Sequence, residues 1–223
     1  GMAAYARHAQ RADPILDLRL LRYRAFAIAV LGGSFSRIVI GATLFLFPLY
    51  IQFAMGGSVL VAGYLMAVLA AGQIALRLGL DPLLKRLGIK RLLLANSAML
   101  GLLLASLLAF GPGDSFWLLG VWLFAFGLLH SIQLSTLAGL SFSGLPGEAL
   151  GRATSVSAVV QRLAMAFGIS LTAILLGLAS GHDTAPERAD FVAPVLVLAG
   201  MMLASLASFT ALRSGDGDDL MAR

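Results

Sequence analysis

Two arginines stand where arginine is costly. Arg37 and Arg162 each lie inside a long apolar stretch, and such stretches also hold Ser34, Gln73, His130, Gln133 and Gln161. A guanidinium among apolar side chains can bind an anion, a carboxylate or backbone carbonyls, while hydroxyl, amide and imidazole groups add neutral hydrogen bonding. This is the chemistry of binding and passage. Hydrolysis would need a nucleophile beside a base, paired acids or a metal. The chain has no cysteine, its 11 acidic residues all fall outside the apolar stretches, and its 3 histidines, His8, His130 and His182, are scattered. There is no Gly-x-Ser-x-Gly elbow, P-loop or dinucleotide glycine pattern. With neither cysteine nor acid near His130, no metal or other cofactor is expected. The chain reads as a non-enzyme.

The elements that position these residues are set by composition. Hydrophobic residues make up 59% of the chain and charged residues 12%, against about 25% charged in a soluble domain. Lipid must therefore cover most of the surface. Six stretches reach the roughly 20 apolar residues that cross a bilayer: 25–53, 59–80, 92–110, 116–140, 153–179 and 191–212. Glycine, proline and charged residues punctuate the connections, as in Gly111-Pro112-Gly113-Asp114 and Leu145-Pro146-Gly147-Glu148. An open strand would leave its backbone unsatisfied in hydrocarbon, and the short alternating segments of a barrel are missing, so every span is a helix. The class is all-α: a polytopic membrane protein with a bundle over 24–213, a leading segment 1–23 and a tail 214–223. Gly1 reads as a cloning remnant and Met2 as the encoded start; no signal peptide is expected.

Lysine and arginine give the direction. Arg7, Arg11, Arg19, Arg22 and Arg24 precede the first span; Arg77, Lys85, Arg86, Lys90 and Arg91 surround the 2–3 connection; Arg152, Arg213 and Arg223 follow later spans on the same side. The other side holds Arg188 alone. The positive side faces the cytoplasm, so both termini are expected there, in a bacterial inner membrane. The net charge of +5 is accounted for by this asymmetry, and no nucleic-acid partner is expected.

Counting from the cytoplasmic ends, Arg37 lies about 18 Å along span 1 and Arg162 about 14 Å along span 5. A lipid-facing arginine at that depth costs about 2.5 kcal/mol or more, so both should face protein or a water-filled cavity. Two readings stay open: a substrate or ion pathway, or an arginine satisfying the carbonyls of a broken helix. Polar stripes accompany them: Ser34, Arg37 and Gly41 on span 1; Gly127, His130, Gln133 and Thr136 on span 4; Thr154, Ser157 and Gln161 on span 5. Such stripes line a cavity or join helices. With no acid inside a span, proton coupling has only His130 to use.

Specific stretches carry a resemblance. Pro48-Leu49-Tyr50-Ile51-Gln52, then Gly56, Ser58 and Ala62-Gly63, resembles the P-L-Y-L-Q…G-x-S…A-G stretch that opens the C-terminal half of major facilitator superfamily transporters. The branch it resembles is the fourteen-helix drug:proton antiporters. The segment from Asp13-Pro14 through Arg22, with Arg24-Ala25-Phe26, looks like the cytoplasmic lead-in to that half. Lys85-Arg86-Leu87-Gly88-Ile89-Lys90-Arg91 is similar to the superfamily's D-R-x-G-x-R-R loop, with Lys85 in place of its Asp and Asp81 in place of its first Gly. Gln161-Arg162-Leu163 and Ala166-Phe167-Gly168 look like R-Q-L-G-G-x-x-G with the first two residues exchanged and Ala164 and Met165 at its two glycines.

The resemblance implies a bundle of two inverted three-helix repeats, half of a carrier whose substrate sits between two bundles. It implies that spans 1 and 4 line the cavity and that spans 2 and 5 flank the partner. Arg37, His130 and Gln133 would then meet the cavity, with Gln73 and Arg162 near the interface. Asp81, Lys85, Arg86, Gly88, Lys90 and Arg91 would form a conformational-switch loop. The expected function is export of small amphipathic molecules by alternating access once paired with a second bundle, either another copy or a separate N-terminal half. A homodimer would bring four arginines and no acid to the midplane, favouring anionic or neutral substrates over lipophilic cations. The competing expectation is a non-transporting scaffold or an inactive transporter fragment.

Overall fold

The computed structural model describes residues 18–76, 87–181 and 185–212. Among them there is no strand, and the protein is an all-α polytopic membrane protein. Six helices carry the chain: α1 (Arg24–Ala54), α2 (Val59–Ala75), α3 (Ile89–Ala109), α4 (Phe116–Phe142), α5 (Gly147–Ser180) and α6 (Arg188–Thr210). Five are long and apolar enough to span a bilayer, while α2 has 17 described residues. Asp81, Lys85 and Arg86 of the expected switch loop lie outside the described residues.

Two helices begin earlier than the apolar pattern suggests. Pro146 sits immediately before the first turn of α5, a place where its missing N–H costs nothing. It therefore launches the helix that its breaker chemistry was expected to delay. Lys90 and Arg91 belong to the first turn of α3, just after Gly88 turns the chain at φ 73°. Only a residue without Cβ holds that backbone cheaply.

The packing repeats itself under an exchange of α1 with α4, α2 with α5 and α3 with α6. The three most extensive helix pairs are α1 with α5, α2 with α4, and α3 with α6. The exchange converts the first pair into the second and maps the third onto itself. Glycines repeat the relation in detail. A Cβ on Gly41 would meet Met165 O at 2.3 Å and one on Gly168 would meet Ile38 O at 1.9 Å. In the other pair, a Cβ on Gly72 would meet Phe124 O at 2.3 Å and one on Gly127 would meet Leu69 O at 2.2 Å. Each crossing is thus a reciprocal pair of glycines, each three residues from the carbonyl that its partner faces. These are two inverted three-helix repeats.

Apolar packing fills the half of the bundle away from the basic end. Phe47 makes edge contacts with Trp122 and Phe126 at centroid distances of 5.5 and 5.0 Å, and Tyr50 meets Phe191 at 5.2 Å. At the basic end, Phe26 and Val30 of α1 pack against Ala149, Ala153 and Val156.

The antiparallel pair α3–α6 is bound at both ends by cations on carbonyls. At the basic end, Lys90 Nζ donates to Thr210 O at 3.0 Å and to Leu212 O, and Arg24 donates to Ala211 O. At the other end, Arg188 Nη2 donates to Leu108 O at 2.9 Å, and Tyr50 Oη lies 2.7 Å from Phe110 O and 3.0 Å from Leu107 O. A cation at a helix C-terminus both satisfies orphan carbonyls and meets the negative end of the dipole. We expect Lys90→Gln and Arg188→Gln each to cost about 1 kcal/mol or less. The two latches stand at opposite ends of a helix about 30 Å long, so the double variant should be additive. Equilibrium unfolding in mixed micelles measures this, and a double variant costing far more than the sum would contradict it.

Candidate functional site

The polar residues read from the sequence fall into three groups. The first is a repair of α1. Residues Ile28–Gly32 wind as a π turn, where Gly33 N donates to Ile28 O at 3.0 Å and interrupts the regular ladder. Arg37 Nη1 donates to Ala29 O at 2.7 Å and reaches Val30 O at 3.3 Å, while Ser34 Oγ donates to Val30 O at 2.7 Å. Arg37 is only 2% exposed. Its charge faces carbonyl dipoles at a helix break, one of the two readings left open by its sequence position.

The second group is a buried junction centred on Gln133 of α4, which is fully enclosed. Its Oε1 accepts from Asn96 Nδ2 at 2.7 Å, and its Nε2 donates to Ser36 Oγ and Ser97 Oγ, each at 3.0 Å. Asn96 Nδ2 also donates to Leu129 O at 2.9 Å. One glutamine therefore ties α1, α3 and α4 together. Ser36, Asn96 and Ser97 were not singled out from the sequence. The available signal was the Asn96-Ser97 pair between leucines and alanines of span 3, where an unsatisfied amide would be expensive.

The third group lies where α2 meets α4, with His130 buried at 5% exposure. Gln73 Nε2 of α2 is 3.2 Å from His130 Nδ1 of α4. These residues line a cavity of about 170 Å³ with Ile74, Ser131, Leu134 and Ser135. His130 packs edge-on to Phe126 at 6.4 Å. The cavity adjoins the Gly127 crossing, where the backbones of α2 and α4 approach most closely. Imidazole, amide and hydroxyl groups there offer neutral donors and acceptors, chemistry that suits a polar uncharged group on a ligand. On α5, Gln161 is half-buried and Arg162 is exposed, as is Thr154. Thr154 Oγ1 returns to Leu150 O at 2.8 Å.

The structure thus separates Arg37 from Arg162. Arg37, Ser34 and Gln133 bond within their own bundle, Gln73 and His130 share a cavity, and Arg162 faces outward. Of the residues expected to form a switch loop, Gly88 makes the turn into α3, Lys90 joins α6, and Arg91 is exposed on the first turn of α3.

Comparison with known proteins gives this arrangement a family. The family model described as Major Facilitator Superfamily matches residues 4–169. Among curated relatives is a protein of Pectobacterium atrosepticum provisionally named multidrug resistance protein MdtD. It is 30% identical over 187 residues, which are 83% of this chain and 40% of that protein. Proteins of the same provisional name from Klebsiella pneumoniae and Cronobacter sakazakii are 32% and 30% identical, over 80% of this chain and 39% and 37% of theirs. The chain spans about two fifths of the length of the curated relatives it matches. With its inverted repeats, crossing glycines and family match over most of its length, the chain belongs to the major facilitator superfamily.

Proposed function

We propose that this chain is one six-helix half of a secondary transporter that exports small amphipathic molecules by alternating access once a second bundle faces it. The observation that carries the reading is the His130–Gln73 pair lining a polar cavity beside a close helix crossing in an otherwise apolar helix pair. A structural polar contact alone would have no need of the adjoining hydroxyl-lined space. The relatives' provisional name, multidrug resistance protein, favours amphipathic cargo. The basic end of the bundle, where Arg24 and Lys90 meet the last turn of α6, faces the cytoplasm of a bacterial inner membrane in this reading. The Gly88–Arg91 turn would relay movement at that face. The pathway consists of His130, Gln73, Gln161 and Arg162, while Arg37, Ser34 and Gln133 keep the bundle rigid enough to rock as one body. With an exposed arginine and no span carboxylate, neutral or anionic cargo is favoured over lipophilic cations.

The test is flux of neutral, anionic and cationic dyes from liposomes holding the chain with its second bundle. His130→Ala with Gln73→Ala is expected to lower flux about tenfold, or about 1.4 kcal/mol in transition-state terms, with thermal stability little changed. Flux untouched by the double variant, or a preference for cationic dyes, would defeat the proposed pathway. Absence of any flux from the paired bundles would favour a scaffold.

A further inference from the structure

The α2–α4 pair carries hollows on two faces, and only one of them is polar. The backbones meet at Gly72 and Gly127, where an added Cβ would strike a facing carbonyl. Towards the N-terminal ends the helices part: a Cβ on Gly120 would touch only Leu65 Cδ2, at 3.5 Å. There, away from the basic end, lies a groove of about 630 Å³ lined by Tyr64, Val68 and Ala71 of α2 and Phe116, Trp117 and Gly120 of α4. Among the described residues its walls carry two side-chain polar atoms, Tyr64 Oη and Trp117 Nε1. Tyr64 and Gln73 are nine residues apart, two and a half turns of helix. The groove and the Gln73–His130 cavity therefore lie on opposite faces of the pair.

Depth and surroundings point to what fills the groove. From Val61 to Ala71 it follows α2 for about 15 Å, half of the roughly 30 Å hydrocarbon core. Its mouth is at the first turn of α4, where Trp117 is 89% exposed, as suits a tryptophan at the membrane–water interface. The groove thus runs from the membrane surface to about the midplane, one leaflet deep. Around its mouth Val59, Leu60, Leu118 and Val121 are all exposed, so it is continuous with the surface that lipid covers. Spread over 15 Å, its volume gives a cross-section of about 40 Å², half that of a helix about 10 Å across. A second helix would bridge such a slot and leave it empty.

We propose that the groove between α2 and α4 seats one acyl chain of a phospholipid from the leaflet away from the basic end, held more tightly than the surrounding lipid and chosen by its chain, not its headgroup. The ester end lies at Trp117 and the chain runs inward past Tyr64 and Val68 to Ala71. An empty slot would forfeit the dispersion contacts of its walls, and a flexible chain without hydrogen-bonding groups restores them. The walls ask for no polar partner. The chain also wedges the ends of two helices whose backbones meet closely only at the Gly72–Gly127 crossing, so occupancy stabilises the pair. The inference stands apart from the transport reading, because the groove is turned away from Gln73 and the cavity assigned to cargo.

The test uses the whole chain in maltoside micelles, with Trp122→Phe leaving Trp117 as the one tryptophan. The probes are phosphatidylcholine and phosphatidylglycerol, each with a dibromostearoyl chain that quenches a tryptophan it touches, and dihexanoyl phosphatidylcholine as a short-chain control. Quenching is expected to saturate at one long-chain lipid per protein, with the two headgroups alike within about twofold and the short chain without effect on it. Ala67 and Ala71 are exposed in the groove, so Ala67→Phe with Ala71→Phe should fill it, weaken lipid binding at least about tenfold and melt no lower than the parent. Ala158→Phe, exposed on α5, should change nothing. Native mass spectrometry of the unmodified chain checks the count without the tryptophan change: one retained phospholipid in the parent and none in the filled variant. Quenching that rises with lipid and never saturates would reduce the seat to ordinary lipid contact and overturn the proposal. So would saturable binding that survives the filled groove, or a tenfold preference between headgroups. Dimerisation of the unmodified chain that is lost on filling the groove would make a second copy the occupant and overturn it too.

Discussion

Gly168→Val and Gly127→Val should each leave little folded protein. A Cβ at either position would lie about 2 Å from a backbone carbonyl of the facing helix: 1.9 Å from Ile38 O and 2.2 Å from Leu69 O. Overpacking in a core costs about 1–3 kcal/mol when neighbouring side chains can shift. Here the obstacle is main chain, which moves only if whole helices separate, so each cost should be at or above about 3 kcal/mol. Parting α1 from α5 also disturbs the π turn held by Arg37 and Ser34, since these lie on the same helix. Gly177 is the internal control. It sits on α5 with nothing within 4 Å of its missing Cβ. Gly177→Ala should be neutral, or stabilising by up to about 1 kcal/mol through helix propensity. Thermal unfolding followed by size-exclusion fluorescence separates these outcomes. A Gly168→Val protein that melts like the parent would mean that the crossing is looser than the backbone distances require.

The second large effect is Gln133→Ala. Three side-chain hydrogen bonds converge on this amide from α1 and α3. An interhelical hydrogen bond in a membrane protein contributes about 0.6 kcal/mol on average, which gives about 2 kcal/mol for the set. The void left in a fully enclosed site adds about 1 kcal/mol or more. A loss of about 3 kcal/mol is therefore expected on unfolding in mixed micelles. Because Asn96 loses its side-chain partner in the same event and keeps only the bond to Leu129 O, Asn96→Ala in a Gln133→Ala background should cost less than in the parent. Thr136 serves as a contrast on the same helix. Its hydroxyl is buried with no partner among the described residues, so Thr136→Val should be neutral or stabilising. Additive losses from Gln133→Ala and Asn96→Ala would show that the junction is not one unit.

Much of this was legible from residue order. Apolar runs of bilayer length and basic residues gathered on one side follow from the cost of exposing backbone and charge to hydrocarbon, a cost each residue incurs whatever its neighbours are. Helix starts were less legible. Pro146 and the Lys90-Arg91 pair look like loop chemistry in isolation, yet one opens α5 and the other occupies the first turn of α3.

The polar residues divide the same way. Residue order is enough to place Arg37 and Arg162 at similar depth and in need of partners, because depth is a count along a helix and the penalty belongs to the charge. It could not assign the partners. Arg37 and Arg162 have the same side chain at the same level; one turns onto carbonyls exposed by a π turn, the other outward beside small residues. What separates them is helix rotation, and rotation is fixed by the glycine crossings of α1 with α5 and α2 with α4. Those crossings are contacts between segments more than a hundred residues apart in the first pair and more than fifty in the second. Which polar groups hold the bundle together and which face beyond it emerges with the packed fold, since it depends on how two distant helix surfaces meet.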